Sequence, residues 1–298
     1  MADSSANTDG TGRIIDAHVH MNPFWRLDDD SLSLLREYGH GFDTKMELAR
    51  NPEQFVAYLD EQGVEKAAII NYVTPILGYT HDVNEWAASY RDAAPDRILA
   101  FGGFDPVAAD DPTAELDRAI DDLALDGIKI HPPHQNLQAN DYLSDPGYRG
   151  LDGLRQLYER CAAADIPVMV HTGTSIFPGA RSRLADPMPL DDVAVDFPDL
   201  DIIMAHGGRP MYTEEAWFLI RRHENVYFDI SSIPPSNLLD HFPRLEEVVE
   251  QVLFGTDWPG PMVPGIGENA EAVRSLSLSP EALDRLLYGT AAELFGVE

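Results

Sequence analysis

IIDAHVH, residues 14–20, is a short apolar run that ends on two histidines spaced by one residue. In an extended chain, residues i and i+2 project from the same face. A strand here therefore sets His18 and His20 side by side. Imidazoles at alternate positions add nothing to a core, but a pair of them at a strand end can hold a metal. The other reading is that one histidine caps the strand and its neighbour faces solvent. A motif this short does not choose between them.

Runs of the same strand-like kind recur. They are RIIDAHV (13–19), KAAIINY (66–72), ILAFGGF (98–104), GIKIH (127–131), PVMVH (167–171), DIIMAH (201–206), NVYFDIS (225–231) and VLFGTD (252–257). Amphipathic helical stretches separate them, such as NPEQFVAYLDEQG (51–63), DPTAELDRAIDDLA (111–124) and NLLDHFPRLEEVVEQ (237–251). Asp111 before Pro112 reads as an N-cap with proline at the first helical position. Most of the strands are apolar on both faces, as strands of a parallel sheet covered by helices must be. Eight βα units in 298 residues favour an α/β fold of the (β/α)8 TIM-barrel type over an open doubly wound sheet. No G-x-G-x-x-G follows a strand and no Walker A sequence occurs. We expect a single domain over residues 12–298, preceded by a disordered polar tail at 1–11. The closing segment SPEALDRLLYGTAAELFGVE (279–298) is expected to form two short helices packed on the barrel.

Composition narrows the partners. Asp and Glu total 51 against 21 Lys and Arg, a formal net charge of −30. Such a surface repels nucleic acid and anionic lipid, leaving a small-molecule substrate as the expected partner. It is also what a high-salt cytoplasm selects, because screening removes self-repulsion while carboxylates keep the surface hydrated. Lys45, Lys66 and Lys129 are the three lysines. The opening MADSSANTDGTG lacks the basic and apolar regions of a signal peptide, and no apolar run is long enough to span a bilayer. A cytoplasmic protein is expected. The one cysteine, Cys161, sits in a helical pattern and reads as a small buried apolar residue.

In a barrel the active site gathers at the C-terminal ends of the strands. His18 and His20 end the first strand, His131 the fourth, His171 the fifth and His206 the sixth, and Asp257 ends the eighth. Five of the ten histidines thus fall on strand ends, where random placement would scatter them. Imidazoles with a carboxylate suit Zn²⁺, and also Mn²⁺ or Fe²⁺. Such a cation lowers the pKa of bound water from ~15.7 toward ~7.

DAHVH, GIKIHP, VMVHTG, IIMAHGG and VLFGTDWP, in this order along almost the whole chain, resemble the amidohydrolase superfamily, and within it the amidohydrolase-2 branch of metal-dependent barrel hydrolases and decarboxylases. The tail LLYGTAAELFG resembles that branch's closing segment. The resemblance implies His18, His20, His171 and Asp257 as metal ligands, with one ion expected and Zn²⁺ first among the candidates. It implies His206 as a nearby catalytic histidine. Other branches carboxylate a fourth-strand lysine to bridge two metals. For Lys129 we favour a charge partner or substrate contact, since a lone lysine inside a barrel is costly. A homodimer is a weaker expectation of the branch.

Asp257 has two possible jobs, ligand and proton acceptor through its free oxygen, while His206 could polarise a carbonyl or protonate a leaving group. Gly207 and Gly208 would let the backbone pass close to the metal. Arg209, Lys129, His131, Trp258 and Trp25 are the candidate substrate contacts. The loops after the first, fifth and eighth strands also carry Arg26, His40, Arg181, Arg183 and Met262, while the RLDDD run (26–30) reads as a solvated face. The first reading of function is hydrolysis of an amide, lactone or ester carbonyl by metal-activated water. The alternative is non-oxidative decarboxylation on the same ligand set, and a non-catalytic metal-binding barrel stands third.

Overall fold

Eight parallel strands hydrogen-bond in sequence order: β1 (Ile15–Val19), β2 (Lys66–Ile70), β3 (Ile98–Gly103), β4 (Gly127–Ile130), β5 (Val168–His171), β6 (Ile202–Ala205), β7 (Val226–Asp229) and β8 (Val252–Leu253). The computed structural model describes residues 12–38, 41–260 and 263–297, so the expected tail at 1–11, His40 and Met262 lie outside the described residues. β8 returns to β1 through backbone bonds that close the barrel. Ala17 N donates to Phe254 O over 2.8 Å, Asp257 N to His18 O over 2.8 Å, and His20 N to Trp258 O over 2.7 Å. Every expected strand forms, each shorter than expected at one end or both.

Side chains alternate in and out along each strand, as the pleat requires. Ile15, Ala17, Ala68, Ile70, Leu99, Phe101, Met169, Ile203, Ala205 and Leu253 fill the barrel's interior and are buried. Their strand neighbours, among them Ile69, Ile128, Val168, Ile202 and Phe228, point outward into the layer shared with the helices. Continuing the inward register places Lys129, His171, Asp229 and Asp257 at the upper end.

β1 needs one further device. Its register against β2 shifts between Asp16 and Val19, and such a bulge re-aims side chains. That shift lets Ile15 and Ala17 pack inside while His18 and His20, of the opposite parity, also turn into the barrel. Asp16 holds the irregular stretch. Its buried carboxylate accepts from His18 N at 3.0 Å, Thr256 N at 3.1 Å and Thr256 Oγ1 at 2.7 Å. Burial pushes this carboxyl up to about 7 despite those bonds.

Asp111 caps its helix as expected, accepting from Ala114 N at 3.1 Å with Pro112 at the first helical position. Asp28, in the solvated RLDDD run, opens the helix Asp29–Tyr38 by accepting from Ser31 N and Ser31 Oγ. Cys161 is buried. The C-terminal segment departs from two helices: Pro280–Asp284, a wider turn at Arg285–Gly289 and Thr290–Leu294 follow one another without a break. It packs on the lower end of the barrel, with Ala291 and Ala292 against the interior layer and Phe295 meeting Phe101 at 5.8 Å. Among the described residues no helix is long and apolar enough to cross a membrane.

Candidate active site

The strand ends converge on a buried row of imidazoles. His18 Nε2 lies 3.3 Å from His20 Nε2, and Asp257 Oδ1 lies 3.0 Å from His20 Nε2 and 3.7 Å from His18 Nε2. The donor atoms of His18, His206 and Asp257 also fall within 4.8 Å of one another. His171 joins the group through His206, its Nδ1 3.1 Å from His206 Nε2. The structure thus brings together His18, His20, His206 and Asp257, with His171 one imidazole away.

Hydrogen-bond partners fix the tautomers of the first pair. His18 Nδ1 is 2.7 Å from the Asp229 carboxylate and His20 Nδ1 is 3.0 Å from the carbonyl of Ile70. Both partners accept, so both Nδ1 atoms carry the proton and both Nε2 atoms present lone pairs. Two lone pairs and a carboxylate oxygen therefore face one another with no proton between them. That is repulsive unless a cation sits among them, so the donor set fits a divalent metal.

His206 is oriented in the same way. Ser231 gives its proton to Asp229 Oδ1 and accepts from His206 Nδ1 at 2.7 Å, which leaves His206 Nε2 as an acceptor. His206 N donates to Asp229 Oδ1 at 3.0 Å. Asp229 thus orients His18 and His206 together. The chain turns sharply here, with positive φ at His206 (69°), Gly207 (51°) and Gly208 (74°). A Cβ on Gly207 would lie 3.2 Å from the Phe242 ring, so the glycine meets both a backbone and a space requirement. Asp257 also has positive φ (67°), and such backbone in non-glycine residues concentrates at functional sites.

Burial sets the protonation states. It lowers His18, and drives His131, His171 and His206 well below the ordinary imidazole value, with nearby Lys129 contributing to all four. These rings are neutral, as metal ligands must be. Burial would raise the Asp257 carboxyl, but the side chains of His20, His18 and Arg209 that face it outweigh burial and hold the group below the usual carboxylate range. Burial would likewise raise Asp229, and His18, Lys129 and Ser231 reverse it. The second oxygen of Asp257 is engaged: Ser232 Oγ donates to Oδ2, so the oxygen expected to be free is held by a hydroxyl.

A cavity of about 530 Å³ opens above this row. His20, Tyr72, Lys129, His131, His171, His206, Arg209 and Asp257 line it, together with apolar side chains from the loops. The Lys129 ammonium is buried with no hydrogen-bond partner among the described residues. Burial pulls it down to about 8, opposed by Asp229 and Asp257 and assisted by Arg209. The charge partner expected for Lys129 is therefore absent at hydrogen-bond range, and its place on the cavity wall fits the substrate contact. Arg209 is tied by Nη1 to Thr174 O at 3.1 Å, while its Nε has no partner among the described residues. His131 stacks between His134 (3.5 Å) and His171 (3.8 Å), forming a wall of parallel rings.

Two candidate contacts are corrected. Trp258 is absent from the described cavity lining. It is buried, stacks on Tyr58 at 4.5 Å and lies on the β1–β8 seam, because its backbone carbonyl accepts from His20 N. Trp25 does not line the cavity either; it is 39% exposed, edge-on to Trp86 and beneath the Arg50 guanidinium. Arg26 pairs with Asp82 at 2.9 Å, and Arg181 and Arg183 are not among the described lining residues. Asp229, Ser231, Ser232 and Tyr72 were not singled out from the sequence. The first two were within reach, since NVYFDIS places an acid and a hydroxyl on alternate inward positions of a strand end.

A family model described as amidohydrolase matches residues 15–297. The chain belongs to the amidohydrolase family. No curated protein matches this amidohydrolase. Solved structures share its fold. An uncharacterised TIM-barrel protein from Bordetella bronchiseptica is 21% identical at a TM-score of 0.74, over 96% of this chain and 99% of that one. 5-Carboxyvanillate decarboxylase from Sphingomonas paucimobilis is 18% identical at a TM-score of 0.67, over 97% and 100%. Dihydroxybenzoic acid decarboxylase from Polaromonas, solved with manganese and the inhibitor 2-nitroresorcinol, is 18% identical at a TM-score of 0.61, over 96% and 97%.

Proposed function

We propose that this amidohydrolase is a metal-dependent, non-oxidative decarboxylase of aromatic carboxylic acids. The observation that carries the reading is the charge at the cavity floor. Three acceptors shaped for a divalent cation lie beside two cationic side chains, the buried Lys129 and the half-buried Arg209, each with a nitrogen left without a hydrogen-bond partner among the described residues. A dication with Lys129 and Arg209 exceeds the negative charge of Asp257 and Asp229, and the excess calls for an anionic substrate, because buried charge is costly unless paired. A carboxylate meets that need, and a neutral amide or lactone does not. The solved structures described as decarboxylases, three of them holding manganese, support the same reaction class. This places the sequence-based alternative ahead of hydrolysis, and Mn²⁺ beside Zn²⁺ as the ion to test.

His18, His20 and Asp257 would hold the metal, with His206 and His171 beside them. A bound dication supplies positive charge that anchors substrate oxygens and stabilises negative charge as it develops. Lys129 and Arg209 hold the carboxylate against the floor. Tyr72 and the edge of His131, whose faces His134 and His171 cover, border the space for a planar ring. Asp257, whose second oxygen Ser232 engages, would take up a proton from solvent and deliver it to the ring carbon, which keeps the electron pair as its bond to CO2 breaks. His206, neutral and oriented by Ser231, is the second proton-handling group at that carbon.

The test offers 2-hydroxybenzoates, lactones and N-acyl compounds to manganese- and zinc-loaded protein in high salt. Decarboxylation in D2O releases CO2 and leaves one deuterium on the ring carbon. Incorporation of solvent oxygen into an acid product, without CO2, would establish hydrolysis instead.

A further inference from the structure

The cavity is larger than the chemistry at its floor requires. A one-ring hydroxy acid occupies on the order of 150 Å³ at protein-like packing density, against about 530 Å³ available. The charged and imidazole lining residues come from at or just past the strand ends, whereas the loops add mainly apolar ones beside Thr174, Ser175 and Ser232: Leu35 and Phe42 from the segment after β1, Leu77 after β2, Ile176 and Phe177 after β5, and Val263 after β8. Phe42 and Leu77 are buried, Leu35, Phe177 and Val263 half-buried, and Ile176 stands 62% exposed at the rim. An apolar chamber continuous with a charged floor favours a ligand with one anionic end and one greasy end.

Resting on the decarboxylase reading, we infer that the substrate is an amphiphilic aromatic acid: a carboxylate-bearing ring seated on the floor, with an alkyl or second aromatic substituent pointing outward into this chamber. The loop residues then set specificity by burying that substituent. A ring position para to the carboxylate points away from Lys129 and Arg209, and is where the substituent belongs.

The experiment uses manganese-loaded full-length protein and a series of 2-hydroxybenzoates with linear alkyl groups of none to six carbons para to the carboxylate. CO2 release gives kcat/KM, and calorimetry gives the affinity of each acid. We expect kcat/KM or affinity to rise about threefold per methylene until the chamber is filled. Leu35→Gln and Val263→Gln, each checked for folding by circular dichroism, should lower the hexyl-to-unsubstituted ratio at least threefold. A flat or falling series, or failure of every acid to bind, overturns the inference. If no acid releases CO2 but affinity climbs with chain length, the decarboxylase reading fails while the amphiphilic ligand stands. If unsubstituted acid is turned over and longer chains bring no gain, the reverse holds.

Discussion

His18 Nδ1 and Asp229 Oδ2 lie 2.7 Å apart, with both side chains wholly buried. This contact between β1 and β7 decides which nitrogen of His18 offers a lone pair to the cavity. A carboxylate accepts and cannot donate, so the imidazole proton is fixed on Nδ1.

Replacing Asp229 by Asn should break that control. The amide can present its NH2 to His18, moving the ring proton to Nε2 and aiming it at Asp257. Loss of such a carboxylate behind a ligating histidine typically costs 10–100-fold in metal affinity. Manganese affinity of D229N, measured against a competing chelator, should fall within that range with the far-ultraviolet spectrum unchanged. Wild-type affinity would mean that His18 is not a ligand.

Asp257→Asn and His206→Ala should each lower kcat at least about 100-fold, the usual contribution of a positioned proton-transfer group. Asp257 is held as an anion, against the pull of burial, by the His20, His18 and Arg209 side chains that face it, and His206 is oriented through Ser231. Neither side chain supports the core, so melting temperatures should stay near wild type. Near-normal kcat in either variant removes that residue from the mechanism.

The fold and the ligand candidates were legible because they depend on local patterns. Strand ends can be counted, and histidines at i and i+2 of an extended run share a face whatever surrounds them. The bulge at Asp16–Val19 was hidden, since it exists to reconcile inward packing at Ala17 with an inward His18, a relation visible only once β2 is beside β1. Trp258 follows the last strand in the sequence like a pocket residue, yet it is spent on the barrel seam against Tyr58. Trp25 looked like a substrate contact because it lies in a long catalytic-face loop, but that loop folds back so that Phe24 lines the cavity and Trp25 faces out. Ser232 could not be found from spacing, as its bond to Asp257 spans two strand ends.

Lys129 makes stability depend on pH. Burial lowers its ammonium from 10.5 to about 8, so between those values the unfolded chain holds a proton that the folded protein has released. Stability from this group therefore rises as pH climbs from about 8 to 10.5, while below 8 the full cost of burying the charge is present. Lys129→Met should accordingly stabilise metal-free protein at pH 7 by up to about 3 kcal/mol. The difference should shrink toward zero by pH 10.5. Denaturant unfolding of both proteins across this range checks it, and a pH-independent difference would show that the lysine is not desolvated.

Salt should stabilise this protein. Arginine pairs such as Arg118–Glu85 and Arg160–Asp121 ring the surface, and screening weakens each of these exposed attractions. Against these few attractions stand 51 acidic residues and 21 basic ones, so repulsion among unpaired carboxylates dominates the surface energy. Raising potassium chloride from 0.05 to about 1 M shortens the Debye length to ~3 Å and removes that repulsion. The melting temperature should therefore climb steeply over the first few tenths molar, where screening changes fastest, and sucrose of equal osmolality should not reproduce the climb. A melting temperature that is level or falls with added chloride would mean that the ion pairs outweigh the excess charge. The acidic surface would then need an explanation other than adaptation to a saline interior.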